Sequence, residues 1–128
     1  MVGKKAKITE ILNKFVDKPY KYGEIDCFRI VDAVKGDKFD EPFQGYTRDT
    51  YSRLLDEEEA SKVLVRLIKS SLKKVEIPDV GDVVIIEHID LVGVYAGNNH
   101  VMTAISDKGI KVLPLEIFKR FGTVTYWR

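Results

Sequence analysis

Cysteine is nearly missing from this 128-residue chain, and Cys27 is the only one. A single thiol excludes an internal disulfide and leaves the redox compartment open. An excess of either charge is missing too, with 21 Lys and Arg against 20 Asp and Glu. Domains that grip phosphates usually carry a basic surplus, so nucleic acid is not the expected ligand. No apolar run approaches the roughly 20 residues that span a bilayer, so no membrane span is expected. The opening stretch, MVGKKAKITE, has positive charge but no apolar region behind it, so no signal peptide is expected. No His-x-x-x-His or Cys-x-x-Cys spacing occurs, and no glycine-rich phosphate loop. Neither a metal nor a cofactor is therefore expected. Internal repeats and low-complexity segments are absent as well.

Hydrophobic residues make up 45% of the chain and charged residues 32%, which suits a globular protein. The length fits one domain over residues 1–128 that buries its core without disulfides or metal. Ile8, Ile11, Leu12 and Phe15 recur at helical spacing and predict a first helix over 6–16. Pro19 and Gly23 interrupt the pattern. A second helix is expected to open at Cys27, with Asp26 as its N-cap and Ile30, Val31 and Val34 as its apolar stripe. The turn-rich stretch KGDKFDEPFQGY reads as a loop with aromatic anchors. The segment that follows reads as helix in two pieces. Ala60, Val63, Leu64, Leu67, Ile68 and Leu72 form the buried face of the second piece, Asp56–Glu59 its first turn, and Lys73 and Lys74 its negative end. The helical part thus runs to about residue 75.

From about residue 79 the pattern changes. DVVIIE, LVGVYAG, HVMTAI, IKVLPL and TVTYWR are short, β-branched or aromatic runs separated by turn residues. Asp107-Lys108-Gly109 reads as a tight hairpin turn. Helices first and strands after predict an α+β fold, with N-terminal helices packed on one face of a C-terminal antiparallel sheet. The final run, TVTYWR, reads as a core or edge strand, or as a surface for a partner.

A cysteine in the first turn of a helix sits where free N–H groups and the helix dipole favour a thiolate. Catalysis also needs a base within hydrogen-bond reach and a group to orient it. A small sulfur in the core is the competing reading, because free cysteine is among the most buried residue types.

Five stretches in order, YKYG (20–23), DCFRIV (26–31), GDVVII (81–86), LVGVYAGN (91–98) and VMTA (101–104), resemble those of the NlpC/p60-type cell-wall peptidases, a papain-like superfamily. The resemblance spans about residues 8–128 and implies a papain-like, NlpC-type fold. It places Cys27 at the nucleophile position and Tyr20 beside the oxyanion. The base histidine of the family falls on Leu91, and the orienting polar residue falls on Thr103. His88 is a displaced candidate base, three residues before Leu91. Strand side chains alternate faces, so that odd offset points it away unless the turn bulges. His100 stands three residues before Thr103 and fails likewise. Without a base, the Cys27 thiol is expected near its ordinary pKa of about 8.5. Tyr20, Tyr22, Phe43 and Tyr46 either line the former substrate groove or wedge the loops. Glu57–Glu59 read as a solvated helix start rather than a metal site.

Short members of this kind that have lost the base resemble domains encoded among bacteriophage tail genes. The resemblance thus implies a catalytically eroded domain, a pseudoenzyme, serving as a structural or assembly component of a tail. Its partners would be other tail proteins and its place the virion, or the cytoplasm if the chain is not phage-encoded. Two alternatives stand beside it: an active cysteine peptidase or amidase that cleaves peptidoglycan stem peptides, and a module that binds cell-wall peptides without cleaving them.

Overall fold

The computed structural model describes residues 3–40, 45–47 and 49–128, and the expectation for Phe43 lies outside the described residues. Among the described residues, no helix is long and apolar enough to cross a membrane. The helices come first, as α1 (Lys4–Asn13), α2 (Cys27–Lys35), α3 (Tyr51–Leu54) and α4 (Glu57–Ser71), with a 3-10 turn at Gly36–Lys38 after α2. The first helix is shorter at its C-terminus than the periodicity predicts. The N–H groups of Lys14 and Phe15 bond three residues back, and Asp17 enters the left-handed region at φ 62°. Both devices end a helix. The third and fourth helices are the two expected pieces. They part at Asp56, which caps α4 in a reciprocal capping box with Glu59. All six residues expected on the buried face of α4 are buried. The fourth helix stops at Ser71, however, and Lys73 and Lys74 lie beyond it. Lys74 instead begins a short edge strand, β1 (Lys74–Val75).

The other strands are β2 (Val83–Ile86), β3 (Leu91–Gly97), β4 (His100–Ile105), β5 (Gly109–Pro114) and β6 (Val124–Trp127). They form one antiparallel sheet in the order β1-β6-β2-β3-β4-β5. The TVTYWR run is therefore neither an edge nor a free docking strand, because β6 is paired on both sides. The β3–β4 hairpin turns through Asn98 and Asn99, both at positive φ, which matches the right-handed strand twist. The β4–β5 hairpin closes at Ile105 and Gly109 around three residues. Gly109 sits at φ 87° with its α-carbon against the Lys18 carbonyl, so a side chain there has no room. Beside it Ile110 exchanges two backbone hydrogen bonds with Asp17 and Lys18, which cover the outer edge of β5.

Helices α1, α2 and α4 pack on one face of the sheet and build the main core, with Ile30, Val31, Leu64, Ile68, Ile85 and Val94 among its members. The opposite face is covered too, which corrects the one-faced expectation. Leu115 belongs not to a strand but to a fifth helix, α5 (Leu115–Lys119), which sets Leu115 and Phe118 over Val84, Ile86, Tyr95 and Val101. Pro114 marks the switch, since its ring fixes φ at a value suited to a helix start, −59° here, while the Leu115 N–H closes the ladder on the Asn99 carbonyl. With both faces covered, all four residues of β2 are buried, and its sequence is a continuous VVII.

The GDVVII motif proves to be a structural clasp. Buried Asp82 accepts from the Asp79 N–H at 2.7 Å and from the Arg128 guanidinium at 3.0 and 2.9 Å, which ties β6 to the start of β2.

Candidate active site

The candidate site begins with Asp26. Its backbone is extended at φ −145°, and its carboxylate accepts from the Arg29 N–H at 2.8 Å, which opens α2 at Cys27. The same carboxylate accepts from the Gly23 N–H at 2.7 Å and from the Tyr51 hydroxyl at 2.9 Å. Only 3% of the residue is exposed. The Tyr51 ring stacks on Phe28, with centroids 4.1 Å apart, and lies under the Arg29 guanidinium. Arg29 in turn donates to the Gly23 carbonyl at 2.8 Å. Gly23 holds φ 87°, and a side chain there would collide with Ser52. The YKYG stretch is thus folded onto the start of α2 around one buried carboxylate. The sequence marks Asp26 as a cap, but not Tyr51 as its second anchor.

Cys27 is partly buried and faces β4. Its Sγ lies 3.7 Å from the Thr103 Oγ1, and that hydroxyl lies 3.0 Å from the Val92 carbonyl. A hydroxyl has one proton, and the shorter contact claims it. Toward sulfur the Thr103 oxygen then only accepts, which holds Cys27 as S–H. A Thr103 proton turned to sulfur would instead lower the thiol pKa, at the cost of the Val92 bond. Burial pushes the Cys27 thiol above its ordinary value, with Asp26 adding to the rise, while the backbone N–H of Ala104 works against it. The thiol therefore departs from the expected ordinary value, and the departure is away from thiolate.

A cleft of about 190 Å³ opens beside the sulfur. Leu91, the first residue of β3, lines it together with Tyr20, Tyr22, Glu57 and Ala104. The structure thus brings Cys27, Tyr20, Leu91 and Thr103 together, with Leu91 and Thr103 on the neighbouring strands β3 and β4. His88 is not among the residues lining the Cys27 cleft. It is exposed, takes φ 73° in the β2–β3 turn and lines an adjoining depression. His100 is held by its Nδ1 at 2.7 Å from the Asn98 carbonyl. Tyr20 and Tyr22 reach the cleft, whereas Tyr46 lines a different depression with Leu55 and Glu59.

Glu57 is the cleft residue that sequence reasoning missed, having read it as solvated helix start. Its place in the first turn of α4 brings its carboxylate to Tyr20. Burial, with Glu57 next, pushes the Tyr20 phenol far above its ordinary range. Burial and Asp26 push Tyr22 up to about 12. Burial and Asp26 push Tyr51 up further. Burial, the largest cause in each case, penalises charge of either sign, and the Glu57 and Asp26 carboxylates add to the penalty for an oxyanion.

An alkaline limit follows. These groups have raised pKa values in the folded chain, so their contribution is complete below their unfolded values and is lost as pH rises. The folded state retains protons that the unfolded state releases, and stability falls with rising pH. We expect the melting temperature to drop from about pH 9 upward, the unfolded thiol titrating first and the phenols near 10. Tyr51→Phe lowers stability at pH 7 by about 1–2 kcal/mol through its lost bond to Asp26. It also flattens the alkaline decline by up to about 1.4 kcal/mol per pH unit. Thermal melts of both proteins between pH 7 and 11 check this, and parallel declines would refute it.

Among known families, the chain matches the model described as a domain of unknown function, DUF6950, over residues 3–123. Comparison with curated proteins gives no match.

Proposed function

The chain belongs to the DUF6950 family, and from the chemistry of its cleft we propose that it is a catalytically eroded NlpC-like domain of papain-like build, acting as a structural or assembly component of a bacteriophage tail. One observation carries the loss of catalysis. Leu91, which the resemblance sets at the base position, lines the cleft, while the Thr103 hydroxyl beside Sγ has its proton directed to Val92. Among the described residues no histidine lines the cleft, so no imidazole stands beside Cys27 to take its proton and return it to a leaving group. Loss of a general base lowers rates by roughly 100- to 10,000-fold. The order of the five sequence stretches supports the descent from a peptidase. An α+β build with a cysteine opening a helix against the sheet agrees with it. The tail assignment rests on the resemblance to short tail-encoded members of that superfamily.

Two measurements test the reading. Incubated with soluble peptidoglycan fragments, the protein is expected to release no more product than its Cys27→Ala variant. Antibody against the chain is expected to label purified tail particles. Turnover that needs Cys27 and disappears in His88→Ala would make the protein an enzyme with a displaced base. Particles that carry none of the chain would remove the structural role.

A further inference from the structure

The cleft at Cys27 shares lining residues with two neighbouring depressions, and the three form one groove: Glu57 and Ser61 are shared with one of about 630 Å³, and Leu91, Ala104 and Ser106 with one of about 380 Å³. The two depressions differ in chemistry. Glu57, Glu58 and Asp90 line the first, and its one lysine, Lys62, is paired with Glu58 at 3.5 Å. Negative charge is therefore in excess there. Leu113, Ile117, Phe118 and Phe121 line the second. Phe121 is 62% exposed, a large ring left in water at the groove rim.

We propose that this groove docks an extended segment of a partner protein, with a lysine or arginine against Glu57, Glu58 and Asp90, small residues over Cys27, and apolar side chains against Leu113, Ile117 and Phe121. Charge complementarity selects this occupant. Phosphate-bearing partners, nucleic acid or anionic lipid, would be repelled at the acidic end. A second copy docked groove to groove about a two-fold axis would set carboxylates against carboxylates, or against the apolar end. The space beside Cys27, about 190 Å³, is less than one helical turn about 10 Å wide and about 5.4 Å long would fill, which suits an extended chain. The proposal deepens the reading above by naming what the cleft holds, and rests on it only in taking the segment to remain uncut.

Random decapeptides displayed on phage and selected on the immobilised full chain test it. Enriched peptides should carry Lys or Arg toward one end and Leu, Ile, Phe or Trp toward the other. A synthetic, fluorescent copy of the leading peptide should bind Phe121→Asp about tenfold more weakly than wild type. It should bind the Glu58→Lys/Asp90→Asn variant more weakly as well, and selection on that variant should lose the basic preference. Glu58 and Phe121 are exposed, and asparagine tolerates the φ of 54° at Asp90, so unchanged melting curves are expected. Enrichment without a basic–apolar pattern, or equal binding to Phe121→Asp, overturns the proposal. So does a dimer in sedimentation that Phe121→Asp disperses, which would give the groove to a second copy. Tighter binding of a soluble muropeptide than of the selected peptide overturns it too. Cys27-dependent cleavage of a peptide that binds as described would uphold the groove and overturn the loss of catalysis.

Discussion

Leu91→His is expected to raise the rate of Cys27 alkylation at pH 7 by about tenfold. Leu91 and Cys27 line one cleft, and burial already holds the thiol above its ordinary pKa. A thiol with a pKa above about 9 is less than about 1% thiolate at pH 7. An imidazolium in place of the Leu91 side chain stabilises the thiolate and lowers that pKa. Part of the gain is returned, because a less basic thiolate is a weaker nucleophile. The pH profile of iodoacetamide labelling should move its midpoint downward, while Leu91→Gln, polar but uncharged, should leave it in place. Hydrolysis should remain weak, since Thr103 is only 2% exposed, bonds to Val92 and does not orient the new ring. An unchanged labelling profile in a folded Leu91→His variant would mean that this side chain does not face the sulfur.

The largest effect on stability is expected at Asp26. Asp26→Ala removes the cap of α2 and the acceptor for three donors: the Gly23 N–H, the Arg29 N–H and the Tyr51 hydroxyl. Charged acceptors contribute about 1.5–3 kcal/mol per bond, and a cap about 1 kcal/mol, with overlap between the two. A total loss of about 3–5 kcal/mol follows, against a stability of about 5–15 kcal/mol for a typical domain. Asp26→Asn should lose less, because its amide oxygen still accepts, but its NH₂ then meets a donor. Urea unfolding of the three proteins reads the order directly. A loss under 1 kcal/mol for the alanine variant would show that Asp26 does no more than cap a helix.

The helices and strands were legible because their apolar residues keep one period over many positions. DVVIIE reads as a strand from its β-branched run, and the six core residues of α4 fall on one stripe. Where the chain changes its period within a few residues, the reading failed. Pro114 ends β5, and Leu115 turns into α5, yet IKVLPL carries no mark of that break apart from the proline itself. Lys74 belongs to a strand of two residues, too short for any period to show. Cys27, Tyr20, Leu91 and Thr103 were placed by motif order, and the structure brings the first three to one cleft and the Thr103 hydroxyl to the Cys27 sulfur. Glu57 escaped because its place in the cleft depends on how α4 crosses the sheet, which no local pattern encodes. Tyr51 escaped for the same reason. Its bond to Asp26 spans 25 residues.

The two backbone hydrogen bonds between Ile110 and the Asp17–Lys18 stretch bear on the behaviour of concentrated protein. The outer edge of β5 is an open row of donors and acceptors, the template on which strands from other molecules add and fibrils grow. A short turn after α1 occupies that row where it meets Ile110, and Pro114 offers no donor at its far end. Colloidal stability is therefore expected to depend on a segment just ahead of Tyr20, and a bulky residue at Gly109, pressed on the Lys18 carbonyl, would lift that segment away. Polymerisation, rather than loss of folding, would be the first consequence.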